Sequence, residues 1–351
     1  MVSETAPTGL STQTSSSAVV TTVPALHGVF TLTSAAADGM AAQTLLPNGD
    51  VFLRGPNGVA VFDPRSGLDT NAIWPPALQD AACVITLRSG DLLCMGSSGT
   101  DFSLYDPASG EVTPTGSMIA NEQTPDVTML VDGRVLFTGG DDGGSGFLTV
   151  AQIYDPATNR FTRAGSMHDA REDHVAILLG DGRVLVAGGD QGTSQDATIL
   201  SSAEIFDPAT GKFTAIRPMI APQTDAQSVV LADGRVLLVG GMTLGKGGAA
   251  AVTASAQLYD PKTGKFSRTG SMASGRDALG IARLDDGRVL VTGGNDPAGN
   301  ALTSAEIYDP ATGTFSAAGS MMNPGGEDSV LLTDGRVLVS GGSGPPEIYW
   351  P

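Results

Sequence analysis

The stretch Asp181–Gly189, DGRVLVAGG, returns four more times almost unchanged: DGRVLFTGG at 132–140, DGRVLLVGG at 233–241, DGRVLVTGG at 286–294 and DGRVLVSGG at 334–342. Two looser copies come earlier, NGDVFLRGP at 48–56 and SGDLLCMGS at 89–97. Each is followed, after a variable gap, by a second signature: VAVFDPRSG, FSLYDPASG, AQIYDPATN, AEIFDPATG, AQLYDPKTG and AEIYDPATG, with PEIYWP last. Such self-similarity decides the fold before any single motif is weighed.

The period is about 42 to 52 residues, and each unit reads as four short strands. A run such as HVAILL is the first. Asp-Gly supplies the positive φ angles of a tight hairpin, and RVLVAGG returns as the second. SAEIYDP is the third, stopped by Asp-Pro because proline cannot donate to a ladder and presets a turn. KFTAI or TFSAA is the fourth, and no segment carries helical periodicity.

A small twisted sheet cannot bury both faces alone, so neighbouring units must stack, and radial closure solves this. The expected fold is an all-β, seven-bladed β-propeller of four-stranded antiparallel blades. Its core would hold the Val and Leu of the second strands, the third-strand aromatics (Phe62, Tyr105, Tyr154, Phe206, Tyr259, Tyr308, Tyr349) and the fourth-strand Phe161, Phe213, Phe266 and Phe315. The last unit stops after its third strand, while HGVFTLTS at 27–34 has the form of a fourth strand. A strand at about 28–34, with Phe30, is therefore expected to complete blade seven and close the ring. Residues 1–26, rich in Ser and Thr, read as a flexible lead-in, and 27–351 as a single propeller domain.

The glycine doublet Gly188–Gly189, Phe206 and Phe213 resemble the kelch repeat, and DGRVLVAGG…SAEIYDPATG is similar to bacterial kelch-repeat β-propeller proteins of the galactose oxidase superfamily. The resemblance covers nearly the whole chain from about residue 28. It implies the fold and says little of function, because propellers host unrelated activities. Tryptophan, common in the fourth strand of kelch blades, is mostly Phe here, with Trp74 the one match. A copper radical site is not expected: there are three histidines with no convergent placement, and both cysteines, Cys83 and Cys94, fall in blade two. They read as buried apolar fillers, diagonal neighbours across one hairpin, with a strained disulfide between them as the alternative.

Composition narrows the partners. The 37 acidic residues against 19 basic ones give a net charge of -18, which disfavours nucleic acid. No apolar run reaches the roughly 20 residues that span a bilayer, so membrane insertion is not expected. A soluble monomer is expected, its compartment open: secreted or at the cell surface if a leader precedes this sequence.

An aspartate stands just before the first strand of every unit: Asp38, Asp80, Asp126, Asp173, Asp225, Asp277 and Asp328. In a propeller these positions converge at one channel mouth. At separations on the order of 6 Å, adjacent carboxylates repel by roughly 1 to 3 kcal/mol. They must therefore cap backbone N–H groups, pair with Arg171 and Arg276, take up protons, or hold a cation. Oxygen-only ligands suit Ca²⁺ or another hard divalent ion, which makes all seven aspartates metal candidates and no other cofactor expected. Asp141, Asp142, Asp190, Asp196, Asn295 and Asp296, in long loops between second and third strands, form a candidate binding rim. Kelch blades commonly carry Arg-x-x-His at the place of Arg171 and His174. With Glu172, that pair supplies weak catalytic candidates; His168 and His27 carry none.

Two functions follow as expectations. The first is a non-enzymatic module that binds a protein, glycan or cationic small ligand at the acidic mouth, with the seven aspartates, Arg171, His174 and Arg276 as contacts. The alternative is a cation-dependent enzyme at the same mouth.

Overall fold

The computed structural model describes residues 28–33, 41–55, 58–72, 75–78, 81–96, 98–120, 122, 124–143, 146–191, 198–245 and 248–351. The lead-in, Asp38, Asp80, Trp74, His27 and Asp196 lie outside them.

Seven four-stranded antiparallel sheets follow one another along the chain. In blade four, Val175–Leu178, Val184–Ala187, Ala203–Asp207 and Lys212–Ala215 pair in that order. The first strand of each blade touches the first strand of the next, and that of blade seven (Asp328–Leu331) touches that of blade one (Ala41–Leu45). The chain is therefore a closed ring with first strands innermost. The one helical element among the described residues is a 3-10 turn, Pro76–Leu78.

The closing strand is Val29–Leu32, which pairs antiparallel with Glu347–Trp350. Elsewhere a third-strand aromatic packs on the Phe opposite it in the fourth: ring centroids are 5.0 Å apart for Tyr154–Phe161, 4.8 Å for Phe206–Phe213, 5.0 Å for Tyr259–Phe266 and 4.9 Å for Tyr308–Phe315. In blade seven the same pair is Phe30 with Tyr349, at 4.9 Å, built from the two ends of the chain.

Apolar side chains interlock between blades. Val175, Leu185 and Ile205 of blade four share one cluster with Val236, Leu238, Tyr259 and Phe266 of blade five. This is the burial that a lone sheet could not achieve.

One reading is corrected here. Cys94 is disulfide-bonded, and Cys83, the sequence's other cysteine, stands directly opposite it in the register rather than on a diagonal. Two of the long loops between second and third strands carry small hairpins, Asp190–Gln191 with Thr198–Ile199 and Met242–Leu244 with Ala250–Val252.

Ring closure through Phe30 is testable. Phe30 is buried, so Phe30→Ala should lower unfolding stability by about 3 to 5 kcal/mol in chemical denaturation. A loss below about 1 kcal/mol would show that the chain ends do not hold the ring together.

Candidate functional site

The segments leading into the first strands build the mouth, and the repeated glycine doublet holds them. The second glycine of a doublet donates its N–H to the connection entering the next blade: Gly140 to Arg171 O at 3.0 Å, Gly189 to Gln223 O at 2.9 Å, Gly241 to Arg276 O at 2.8 Å and Gly294 to Gly325 O at 3.0 Å. Only glycine permits this approach. A Cβ on Gly139 would lie 2.2 Å from Arg171 O, and one on Gly188 would lie 2.3 Å from Gln223 O.

Four residues before the first strand of blades three to six stand Glu122, Arg171, Gln223 and Arg276, all buried. Each meets a polar residue of the third strand. Arg171 donates to Gly188 O at 2.6 Å and to Glu204 Oε1 at 3.3 Å. Arg276 repeats this with Gly293 O at 2.8 Å and Glu306 Oε1 at 3.1 Å. In the other two blades neutral groups do the same work: Gln223 accepts from Gln257, and Gln152 donates to Glu122 at 2.7 Å. The third-strand groups also accept N–H bonds from the incoming connection, at Ile119 (2.6 Å), His168 (3.0 Å), Ile220 (3.0 Å), Ala273 (2.9 Å) and Met322 (2.9 Å).

This corrects the expected role of the arginines. Arg171, with a side chain 0% exposed, and Arg276, at 1%, pair with Glu204 and Glu306 inside the blades, not with the mouth aspartates. Glutamates of the third strands, unremarked in the sequence, are their partners. The pattern AEI or AQI, a polar residue inside an otherwise apolar strand, was the available signal.

The aspartates do not share one position. Relative to the start of the first strand, Asp173 and Asp225 lie two residues before it, Asp277 three before, and Asp126 and Asp328 open the strand itself. In blades three to seven the residue two before the strand is left-handed: Thr124 (φ 50°), Asp173 (49°), Asp225 (54°), Ala278 (50°) and Gly326 (69°). Asp173 and Asp225 are the aspartates at this turn, where Asp is tolerated better than most residues.

They converge nevertheless. Asp173, Asp225, Asp277, Glu327 and Asp328, with His174 and Gln227, line a cavity of about 460 Å³ between blades four and seven. Asp126 sits beside it, its Oδ2 accepting the Ala176 N–H at 2.7 Å across the blade boundary. No ion pair among the described residues reaches any of these carboxylates. At the Asp-Gly hairpin turns, by contrast, Asp132, Asp181, Asp233, Asp286 and Asp334 each pair with the arginine two residues on, as in Asp181–Arg183 (2.7 Å), Asp233–Arg235 (2.7 Å) and Asp286–Arg288 (2.6 Å).

The unpaired acids hold their protons more tightly than usual. Burial, and then the charges of Asp173, Asp277, Asp190 and Glu172, push Asp225 up to about 7. Burial, followed by Asp173, Asp141 and Asp190, pushes Glu172 up to about 7. Burial raises Asp126 and Asp328 to about 6, and raises Asp173, Asp190 and Glu327 as well.

His174 lines the same cavity and is 7% exposed. Its Nε2 is 2.9 Å from Thr138 Oγ1, while its Nδ1 has no partner among the described residues. Burial, aided by the Arg171 charge, lowers it to about 3, so the ring is neutral at physiological pH. His168 instead meets Glu204 with Nδ1 at 2.6 Å, and that carboxylate raises its pKa. Of the rim candidates, Asp141 and Asp190 belong to the acidic cluster electrostatically. Asp296 folds back on its own loop, accepting the Asn300 N–H at 2.9 Å. Asn295 makes backbone bridges to Asp277 and Ala301, and Asp142 is exposed. Among the described residues, no three His, Cys, Asp or Glu side chains group closely enough to hold a metal ion.

The family model of the Kelch motif matches residues 174–220 and 283–322, within blades four and six. Comparison with curated proteins gives no match. Among solved structures, the chain is similar to one described as a novel fungal alcohol oxidase with catalytic diversity among the AA5 family, in complex with copper. Identity is 16% over 80% of this chain and 75% of that one, with a TM-score of 0.48.

Two outcomes test this geometry. Between an unfolded carboxyl value near 4 and the folded value of about 7, the native state keeps protons that the unfolded chain has released. Stability contributed by these acids therefore falls as pH rises through that window. Asp225→Asn, which the left-handed turn tolerates, should stabilise the protein by about 1 to 2 kcal/mol at pH 8, solvent screening included, and not at all near pH 4. Equal effects at both pH values would refute the shift. Arg276→Met strands Glu306 in the blade and should cost about 3 to 5 kcal/mol in denaturant, whereas a surface pair would cost under about 1.

Proposed function

We propose that this seven-bladed propeller, with its Kelch motifs, is a non-enzymatic binding module that takes a positively charged group into the acidic channel mouth. The observation that carries the reading is that no ion pair among the described residues reaches Asp173, Asp225, Asp277 or Asp328, beside a cavity of about 460 Å³. Like charges gathered at a mouth raise the local concentration of a cation and steer its approach. The acids also raise one another's pKa, so a bound cation is favoured by exactly the repulsion that destabilises the free protein. Loops of blades three to six, with Asp141 and Asp190, extend the negative field around the mouth.

The second reading, a cation-dependent enzyme, would place a Ca²⁺-type ion on the aspartates and give His174, Arg171 or Glu172 acid-base or orienting work. It has less support, because the described acids do not group as metal ligands and Arg171 is sealed inside its blade. A neutral glycan would leave the charge unanswered.

The test is calorimetric titration with spermidine. Binding should strengthen as pH rises from 5 to 8, weaken with added salt, and fall by about tenfold or more in Asp173→Asn/Asp225→Asn. Affinity unchanged in that variant would sink the proposal. A melting shift specific to Ca²⁺, lost in the same variant, would favour the enzyme reading instead.

A further inference from the structure

We propose that the notch between blades six and seven is the docking site of the chain's own lead-in, residues 23–27 (VPALH), with Leu26 as its apolar anchor. The notch shares no lining residue with the channel mouth, so the inference stands apart from the proposed function.

Notches of this kind lie between the first hairpins of neighbouring blades. In blade four the turn after the third strand contributes Asp207, Pro208 and Ala209 to the wall, and the cavity is about 340 Å³. In blade two the same turn contributes Asp106, Pro107 and Ala108, and the cavity is about 350 Å³. Between blades six and seven the cavity reaches about 1330 Å³, and its walls include Gly28, Trp350 and Pro351.

Gly28 shows how the lead-in enters. In blades one, two, four, five and six the turn closes when a left-handed glycine donates its N–H to the aspartate four residues earlier, as Gly313 does to Asp309 O at 2.8 Å. Gly28 does the same to Trp350 O at 2.6 Å, and its φ of 66° matches the 69° of Gly313. Both the bond and the angle are set at the glycine nitrogen, so together they fix the direction from which the preceding residue arrives. His27 therefore takes the place of Thr312, and Leu26 the place of Ala311. The counterparts of Ala311 in blades two and four, Ala108 and Ala209, line their notches. Leucine thus stands where blades two, three, four and six carry alanine, and it enters the widest of these three notches.

The walls suit that segment. Leu284, Ile307, Ala318, Tyr349 and Trp350 give the notch an apolar lining. The outer strand of blade six adds the small Ala317, at the station where blades three and five carry Arg163 and Arg268. The arginines of the wall are already committed: Arg65 pairs with Asp50 and Asp63, Arg288 with Asp286 and Arg336 with Asp334. An uncharged occupant fits better than an anion. From residue 5 to residue 27 the lead-in has no Asp, Glu, Lys or Arg, and its apolar residues gather at Val19, Val20, Val23, Pro24, Ala25 and Leu26. Tethered at Gly28, it has a high local concentration at the notch.

The test places the photoreactive p-benzoylphenylalanine at position 26 of the full chain and maps its crosslinks by peptide mass spectrometry. They should fall on the outer strand of blade six, Thr314–Ser320, or on Trp350. Crosslinks elsewhere, crosslinks to a second copy, or none at all, would overturn the inference. Ala317→Arg, a residue that blades three and five accept at this station, narrows the notch and should cut the crosslink yield by about fivefold or more. An unchanged yield would count against the notch as the site. Leu26→Ser should lower the melting temperature by about 2 to 4 °C, whereas Leu10→Ser, in the Ser/Thr-rich part, should not move it. A melting temperature unmoved by Leu26→Ser would refute the anchor. Asp173→Asn/Asp225→Asn should leave the crosslinks as they are, so failure here and failure of the mouth reading are separate results.

Discussion

Each blade is a sheet with two apolar faces, and it can bury both only between two neighbours. That requirement closes the chain into a ring and makes the pairing of Val29–Leu32 with Glu347–Trp350 its last step. The Phe30–Tyr349 contact, at 4.9 Å, reproduces between the chain ends the aromatic pair that other blades form within one continuous segment. Closure also fixes where charge goes. Once the first strands are innermost, every segment leading into them must cross one face toward a common axis, and whatever acids it carries are brought together.

The two faces treat their acids differently. At the Asp-Gly turns Asp132, Asp181, Asp233, Asp286 and Asp334 each have an arginine two residues on, so these charges are answered locally, as in Asp334–Arg336 at 2.6 Å. At the mouth the available arginines are spent inside the blades. Arg171 and Arg276 hold the incoming connections to Glu204 and Glu306, and blades three and five do the same with Glu122–Gln152 and Gln223–Gln257. The clamps set the path of the chain, the glycine doublets let it approach, and among the described residues no ion pair reaches the mouth acids. Their repulsion is relieved in the free protein by retained protons and, on the proposed function, by a cation from outside.

Repeat, blade number and ring closure were all legible in the sequence, because each rests on local patterns: Asp-Gly turns, Asp-Pro stops and one aromatic per strand. The mouth was legible in part. Seven aspartates were grouped as one set, yet the five described ones do not share the single register that the grouping assumed. Spacing to the hairpin turn carried the correction: Asp126 and Asp328 stand six residues before Asp132 and Asp334, Asp173 and Asp225 eight before Asp181 and Asp233, and Asp277 nine before Asp286. The roles of Arg171 and Arg276 could not be read locally, since their partners lie about 30 residues away and meet them only through the strand pairing. Whether the two cysteines are bonded was open in the sequence, because only the register places Cys83 opposite Cys94, which is disulfide-bonded.

The central claim is that the mouth carboxylates lie close together with no ion-pair partner among the described residues. Its most direct measurement is an NMR titration of the side-chain carboxyl carbons of labelled aspartate, with the Asp225 signal assigned by its loss in Asp225→Asn. The account requires Asp225 to titrate near 7, and to move down when Asp173 is replaced by asparagine. An Asp225 that titrates at or below about 4, as a solvated carboxylate does, would contradict it.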